Sequence, residues 1–130
     1  MKRIVIVGML LLGWGMGDAV AGCGATQITD LQPKLSGQLI DGSAGSNRWQ
    51  EVHCANGDLW ELAKGPSDPI DPTHKVGTWY VESGGTRVCY AYPSGTYCFT
   101  VHSADNTNYS FCNGGSEAAT GTLTAYDCPQ

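Results

Sequence analysis

No apolar run in this chain is long enough to cross a membrane. The longest, Ile4 to Leu12, stops after nine residues where glycines interrupt it, and a spanning helix needs about 20. Positive charge is also scarce. From Gly22 onward, five Lys and Arg side chains stand against eleven carboxylates, a net charge of −6 with histidine neutral. No basic cluster offsets this, so phosphate-bearing partners such as nucleic acid and anionic membrane are repelled. There is no Cys-x-x-Cys, which removes the dithiol-redox and haem-attachment readings. No segment keeps a helical apolar period for two turns. No nucleophile, base and orienting acid fall into a recognisable pattern.

What is present begins with an export signal. Met1-Lys2-Arg3 is basic, the apolar run follows, and Asp18-Ala19-Val20-Ala21 ends it with small residues. That order is the secretory pattern and predicts removal of residues 1–21, with one domain over 22–130. Two cleavage readings compete. Ala19-Val20-Ala21 fits cutting before Gly22. Val20-Ala21-Gly22-Cys23 fits a lipoprotein box, in which Cys23 is acylated and anchors the chain to the envelope. Asp18 in the segment and an even cysteine count favour the first. The expected location is therefore the periplasm or the medium, with the lipid anchor as the alternative.

The exported part carries short β-type runs at roughly ten-residue spacing, divided by turn signals. Candidate strands are 35–40, 48–54, 58–64, 78–82, 87–92, 96–103, 108–112 and 122–126. Asn56-Gly57, Gly84-Gly85, Pro93-Ser94-Gly95 and Asp105-Asn106-Thr107 supply the turns. The prediction is an all-β fold, an antiparallel meander of seven to eight strands forming a small barrel or curved sheet. Closing Gly84-Gly85 sets Glu82 opposite Arg87, Val81 opposite Val88 and Trp79 opposite Tyr90. Closing around Ser94-Gly95 sets Tyr92 against Tyr97, Tyr90 against Phe99 and Val88 against Val101. One face then collects Trp79, Val81, Val88, Tyr90, Tyr92, Tyr97, Phe99 and Val101, joined by Tyr109 and Phe111, as a core face should.

Six cysteines in a chain bound for an oxidising space predict three disulfides, each adding about 2–4 kcal/mol by restricting the unfolded chain. Cys89 and Cys98 share the outer face one diagonal step apart. A register shift of two residues makes them direct partners, so a bridge is expected there. By elimination, Cys23 pairs with Cys128 and Cys54 with Cys112.

Three constellations are candidates for function. A two-residue Asn56-Gly57 hairpin puts His53 opposite Trp60, with Trp49 on the same outward face. That aromatic patch is suited to stacking a sugar ring or another flat ligand. In the Pro-rich segment 65–76, expected to be a loop because of its three prolines, Asp68, Asp71 and His74 are spaced three apart. They could face a protein partner. As metal ligands they lack a supporting carboxylate cluster, and turn formation by Asp-Pro explains the aspartates, so no metal is expected. A row of Glu82, Arg87 and His102 reads as a surface ion pair. Glu51 and Glu61 fall on opposite faces of the hairpin, which separates them as a catalytic acid pair.

Arg48-Trp49-Gln50-Glu51-Val52-His53, Gly57-Asp58-Leu59-Trp60-Glu61-Leu62, Gly65-Pro66-Ser67-Asp68-Pro69-Ile70-Asp71-Pro72 and Gly77-Thr78-Trp79 together resemble small secreted proteobacterial β proteins of unknown function. The resemblance implies an exported β domain and no activity. Gly77-Thr78-Trp79 is also similar to the Gly-x-Trp of lipocalins, where the motif opens the barrel. Here two or more candidate strands precede it.

The functional expectation is a non-enzymatic binding or interaction module that needs no cofactor. Its partner would be a small molecule, a glycan or a protein, met through Trp49, His53 and Trp60. The alternatives are a protease-inhibitor-like domain presenting segment 65–76 and an unrecognised secreted hydrolase.

Overall fold

A computed structural model describes residues 22–63 and 71–128. The expected export signal, Asp68 and the middle of the Pro-rich segment lie outside the described residues. Eight antiparallel strands form a closed barrel in chain order. They are β1 (Gln38–Ala44), β2 (Asn47–His53), β3 (Asp58–Ala63), β4 (Asp71–Glu82), β5 (Arg87–Tyr92), β6 (Gly95–His102), β7 (Asn108–Asn113) and β8 (Ser116–Ala125). β8 closes on β1 with Ile40 opposite Leu123 and Gly42 opposite Gly121. Closure leaves no unpaired strand edge, which suits a chain with so many β-forming runs.

Strand 35–40 of the sequence reading is corrected. Leu31–Leu35 is a short helix, α1, and β1 begins at Gln38. Leu31 and Leu35, one turn apart, are both fully buried. They join Ile40, Leu59, Trp79, Val88, Tyr90, Val101, Tyr109 and Phe111 in the barrel core. Pro33 is tolerated because the first helical N–H groups have no partner to lose. α1 thus plugs the barrel end where β2 finishes and β5 starts. The other end holds the β1–β2, β5–β6 and β7–β8 turns.

The aromatic face of the meander is inward. β4 and β5 pair with Trp79 opposite Tyr90, Val81 opposite Val88 and Glu82 opposite Arg87. The next hairpin turns two residues tighter than expected, at Pro93-Ser94, so Tyr92 meets Gly95 and Tyr90 meets Tyr97. A shift of two keeps every side chain on its face. It also brings Cys89 directly opposite Cys98, and the two are bonded. In the β6–β7 turn, the Asp105 carboxylate accepts the backbone N–H groups of Thr107 and Asn108 at 2.9 and 2.8 Å. Those bonds hold the exposed acid down at about 2.

The pairings made by elimination are wrong. Cys23 bonds Cys112 and Cys54 bonds Cys128. The N-terminal segment runs beside β6, with Ile28 N–H donating to Val101 C=O at 2.8 Å and Ser103 N–H to Thr26 C=O at 2.9 Å. That places Cys23 against β7. The C-terminal segment returns over the outside of β1 to β3, where Tyr126 and Cys128 cover Leu39, Val52, Cys54, Leu62 and Trp60. In the Cys23–Cys112 bond the Cys23 sulfur is not free for acylation. The three disulfides fit a protein that lives outside the cytoplasm. No helix among the described residues is long and apolar enough to cross a membrane.

Segment 65–76 is not a loop throughout. β4 starts at Asp71, so Asp71, Pro72 and His74 are strand residues. Pro72 is accommodated because the β3–β4 ladder shifts register between Glu61 and Leu62, where a missing N–H is harmless.

Candidate functional site

The site forms because one turn is a residue longer than the sequence suggested. The β2–β3 loop is Ala55-Asn56-Gly57. Asn56 Oδ1 accepts the Asp58 N–H at 2.9 Å, Gly57 sits at φ +98°, and Cys54 N–H donates to Asp58 C=O at 2.9 Å. Asparagine and glycine tolerate these geometries at low cost. His53 therefore pairs with Leu59, Val52 with Trp60 and Glu51 with Glu61. One residue of slip reverses the face of β2. The expected outward patch is corrected accordingly. Trp49, Glu51 and His53 point into the barrel, while Trp60 stays outside against Val52 and Leu39. Glu51 and Glu61, expected on opposite faces, share the inner one.

The three inward residues occupy successive depths. His53 is deepest and fully buried. Its Nδ1 lies 3.0 Å from the Gln38 carbonyl, which can only accept, so Nδ1 carries the proton. Nε2 then accepts from the Tyr90 hydroxyl at 2.9 Å. Burial drives the imidazole down to about 4 against an ordinary 6.5, although the Gln38 carbonyl opposes the shift. His53 is neutral at physiological pH. Trp79 meets it edge-on at 5.1 Å and donates its indole N–H to the Cys54 carbonyl at 2.8 Å. His53 is thus a satisfied core histidine and does not touch the cavity.

Above it, Glu51 faces a cavity of about 210 Å³ in the barrel mouth. The walls are Ile40, Ala44, Trp49, Tyr90, Tyr92, Tyr97, Phe99, Phe111, Ala118 and Ala119. The aromatic rings run on from one another, Tyr90 to Tyr92 at 6.5 Å, Tyr90 to Phe99 at 6.1 Å, Tyr92 to Tyr97 at 6.2 Å and Phe99 to Phe111 at 6.4 Å. The Tyr92 hydroxyl donates to the Glu51 carboxylate, 3.0 and 3.1 Å from its two oxygens. Glu51 is only 8 % exposed. Burial pushes its carboxyl from 4.5 up to about 7; the Tyr92 hydrogen bond pulls it down, and the Glu61 charge adds to the rise. Burial and the nearby Glu51 charge hold the Tyr92 phenol well above its usual range.

Trp49 lies flat across β1 because its partner there, Gly42, has no side chain. A Cβ at Gly42 would sit 2.8–3.1 Å from three atoms of the indole. Gly42→Ala should therefore push the ring into the cavity and cost about 1–3 kcal/mol. In an NMR spectrum the Trp49 indole signal should move and that of Trp60 should stay.

The other predicted positions do not assemble. His74 is exposed and lies 3.7 Å from Glu61 Oε1. Asp68 is outside the described residues, and only the backbone of Asp71 is described. His102, expected beside Arg87, is opposite Ser110. Its Nδ1 bonds the Ala25 carbonyl at 3.0 Å and its Nε2 the Thr100 hydroxyl at 2.9 Å. With both nitrogens committed, it gives Ser110 no base, and the Ser110 hydroxyl donates to Glu117 at 2.6 Å instead. Arg87 keeps its expected bond to Glu82 at 2.7 Å. Among the described residues, Glu82, Cys89 and Cys98 lie close enough to share a metal ion, but the disulfide uses both sulfurs.

Sequence reading missed the cavity because its rings were assigned wholly to core. The available signal was surplus: β5 and β6 carry more inward aromatics than a barrel end capped by small turns can cover. Gly77-Thr78-Trp79 lies on the fourth strand rather than the first. No family model, curated protein or solved structure matches the chain.

Proposed function

We propose that this protein is a non-enzymatic binding module, exported to the periplasm or the medium, that holds a small ring-bearing molecule in the mouth of its barrel. The observation that carries the reading is the aromatic cavity with a single buried carboxyl on its wall. Ligand sites in β-barrels favour the mouth, and pockets of this kind are mostly apolar with few polar groups to fix orientation. An apolar cavity of about 150 Å³ takes up benzene, so about 210 Å³ suits one ring with a short substituent. Closure of the barrel and three disulfides support a preformed site, which lowers the ordering cost of binding.

The test is an NMR titration of the full disulfide-bonded protein with a panel of indole, phenol, benzylamine and cyclohexanol. Signals of Trp49, Tyr92, Phe99 and Phe111 should shift together and saturate, with Trp60 unchanged. A panel that moves none of the four, or moves only Trp60, overturns the reading.

A further inference from the structure

The cavity also has an electrostatic sign, and the inference drawn from it rests on the cavity being a ligand site. The rings of Tyr90, Tyr92, Phe99 and Phe111 line the space, and the face of an aromatic ring is negative. Among the described residues, Glu51 is the one charged residue lining the space, and none of them is cationic. The neighbouring Arg48 directs its guanidinium to Asp41 at 3.0 Å. An anionic guest would be repelled by the ionised Glu51 carboxylate. A neutral guest would leave a carboxyl shut away from water with one hydroxyl as partner, an arrangement that is costly unless a charge is matched. A cation removes both difficulties, since aromatic faces attract it from within about 6 Å.

We propose that the occupant is a small organic cation, an alkylated or ring-bearing ammonium, held against the aromatic wall and paired with the Glu51 carboxylate.

Binding of this kind is tied to protons. Among the described residues, the titratable groups facing Glu51 are these. Glu61 stands opposite on β3, itself beside His74 of β4. Tyr90 and Tyr92 come from β5, and Tyr97 from β6. His53 follows two residues along β2. From β1, β7 and β8 come Ile40, Phe111 and Ala119, which do not titrate. The tyrosines Tyr90 and Tyr92 stay protonated and His53 stays neutral across the working range. Burial raises the Glu51 carboxyl to about 7. A cation entering below pH 7 must expel its proton to solvent.

The experiment compares choline, a permanent cation, with its uncharged isostere 3,3-dimethylbutan-1-ol by titration calorimetry. At pH 8 choline should bind at least ten-fold tighter. Its affinity should fall on the order of a hundred-fold by pH 5, because only the ionised acid pairs with it. The alcohol's affinity should not follow. At pH 6.5 the choline heat should vary with the ionisation enthalpy of the buffer, which reports the released proton. In Glu51→Gln the choline preference and its pH dependence should both vanish. An alcohol that binds as tightly as choline at pH 8, or a choline preference that survives Glu51→Gln, overturns the cation assignment and leaves the cavity as a ligand site. If neither probe nor the panel above moves the cavity signals, both readings fall.

Discussion

Glu51→Gln should stabilise the folded protein by about 3 kcal/mol at pH 8 and leave it nearly unchanged at pH 4. The acid's ordinary value is 4.5, and burial raises it to about 7 in the barrel. A raised acid favours folding only while it is protonated. Its contribution is present below pH 4.5 and is lost as pH rises through about 7. At about 1.4 kcal/mol for each pH unit of displacement, ionised Glu51 costs about 3 kcal/mol. Glutamine removes the charge and keeps an oxygen for the Tyr92 hydroxyl. His53 works in the opposite direction. Its ordinary value is 6.5 and its folded value about 4. Its contribution is full above pH 6.5 and falls away as pH drops towards 4. Between about pH 4.5 and 6.5 the folded chain holds Glu51 protonated and His53 neutral. The unfolded chain holds the acid ionised and the imidazole charged. The proton counts match, so these two groups leave wild-type stability nearly flat in that window. Glu51→Gln exposes the His53 slope, and urea midpoints of the variant should climb from pH 4.5 to 6.5. A variant as flat as wild type there, or no more stable at pH 8, would show that Glu51 is not the buried acid described.

The meander from β4 to β7 was legible because local chemistry states it. Gly84-Gly85, Pro93-Ser94 and Asp105-Asn106-Thr107 each mark a turn, and the alternation of Trp79, Val81, Val88, Tyr90, Tyr92 and Phe99 assigns one face. A shift of two residues at Pro93-Ser94 changed partners and left that face intact. The β2–β3 hairpin was not legible. Asn56-Gly57 fits a two-residue or a three-residue loop, and the choice turns on the Asn56 side chain meeting the Asp58 N–H. Composition made the wrong choice attractive, since Val52 and Cys54 look more like core than Glu51 and His53 do. His53 is acceptable inside only because Gln38 and Tyr90, 15 and 37 residues away, satisfy its nitrogens. Such partners are invisible until the barrel closes. The same holds for Cys54–Cys128, which depends on the C-terminal segment crossing the outer surface. The cavity inherits this history: its rings were readable, while its acid was assigned to the wrong side.

Gly77→Ala should cost more than about 4 kcal/mol, the range of a core defect with no escape, while Thr78→Ala one residue on should stay within about 1 kcal/mol. β4 bulges where Leu59 pairs with Gly77 and Trp60 with Lys75, which leaves Val76 as the extra residue. The bulge turns the strand inward, and Val76 and Trp79 both reach the core. It also presses Gly77 against β5. A Cβ built there would lie 2.2 Å from the Ala91 carbonyl oxygen and 3.1 Å from its carbon. Those atoms are backbone, fixed by the β4–β5 ladder, so no rotamer relieves the contact. To admit the methyl group, β4 must part from β5 next to the Trp79–Tyr90 pair. That separation loosens the hydroxyl on which His53 depends and the wall that carries Tyr92. The Gly-x-Trp sequence is therefore a packing device in this barrel: the glycine permits close approach at the bulge, and the tryptophan two residues later fills the space beside His53. Thermal melts of both variants check the claim, together with loss of the Trp79 near-ultraviolet dichroism in Gly77→Ala alone. A Gly77→Ala protein that melts with wild type would mean that β4 and β5 are not held this close, and the cavity wall would have to be redrawn from Tyr92 onward.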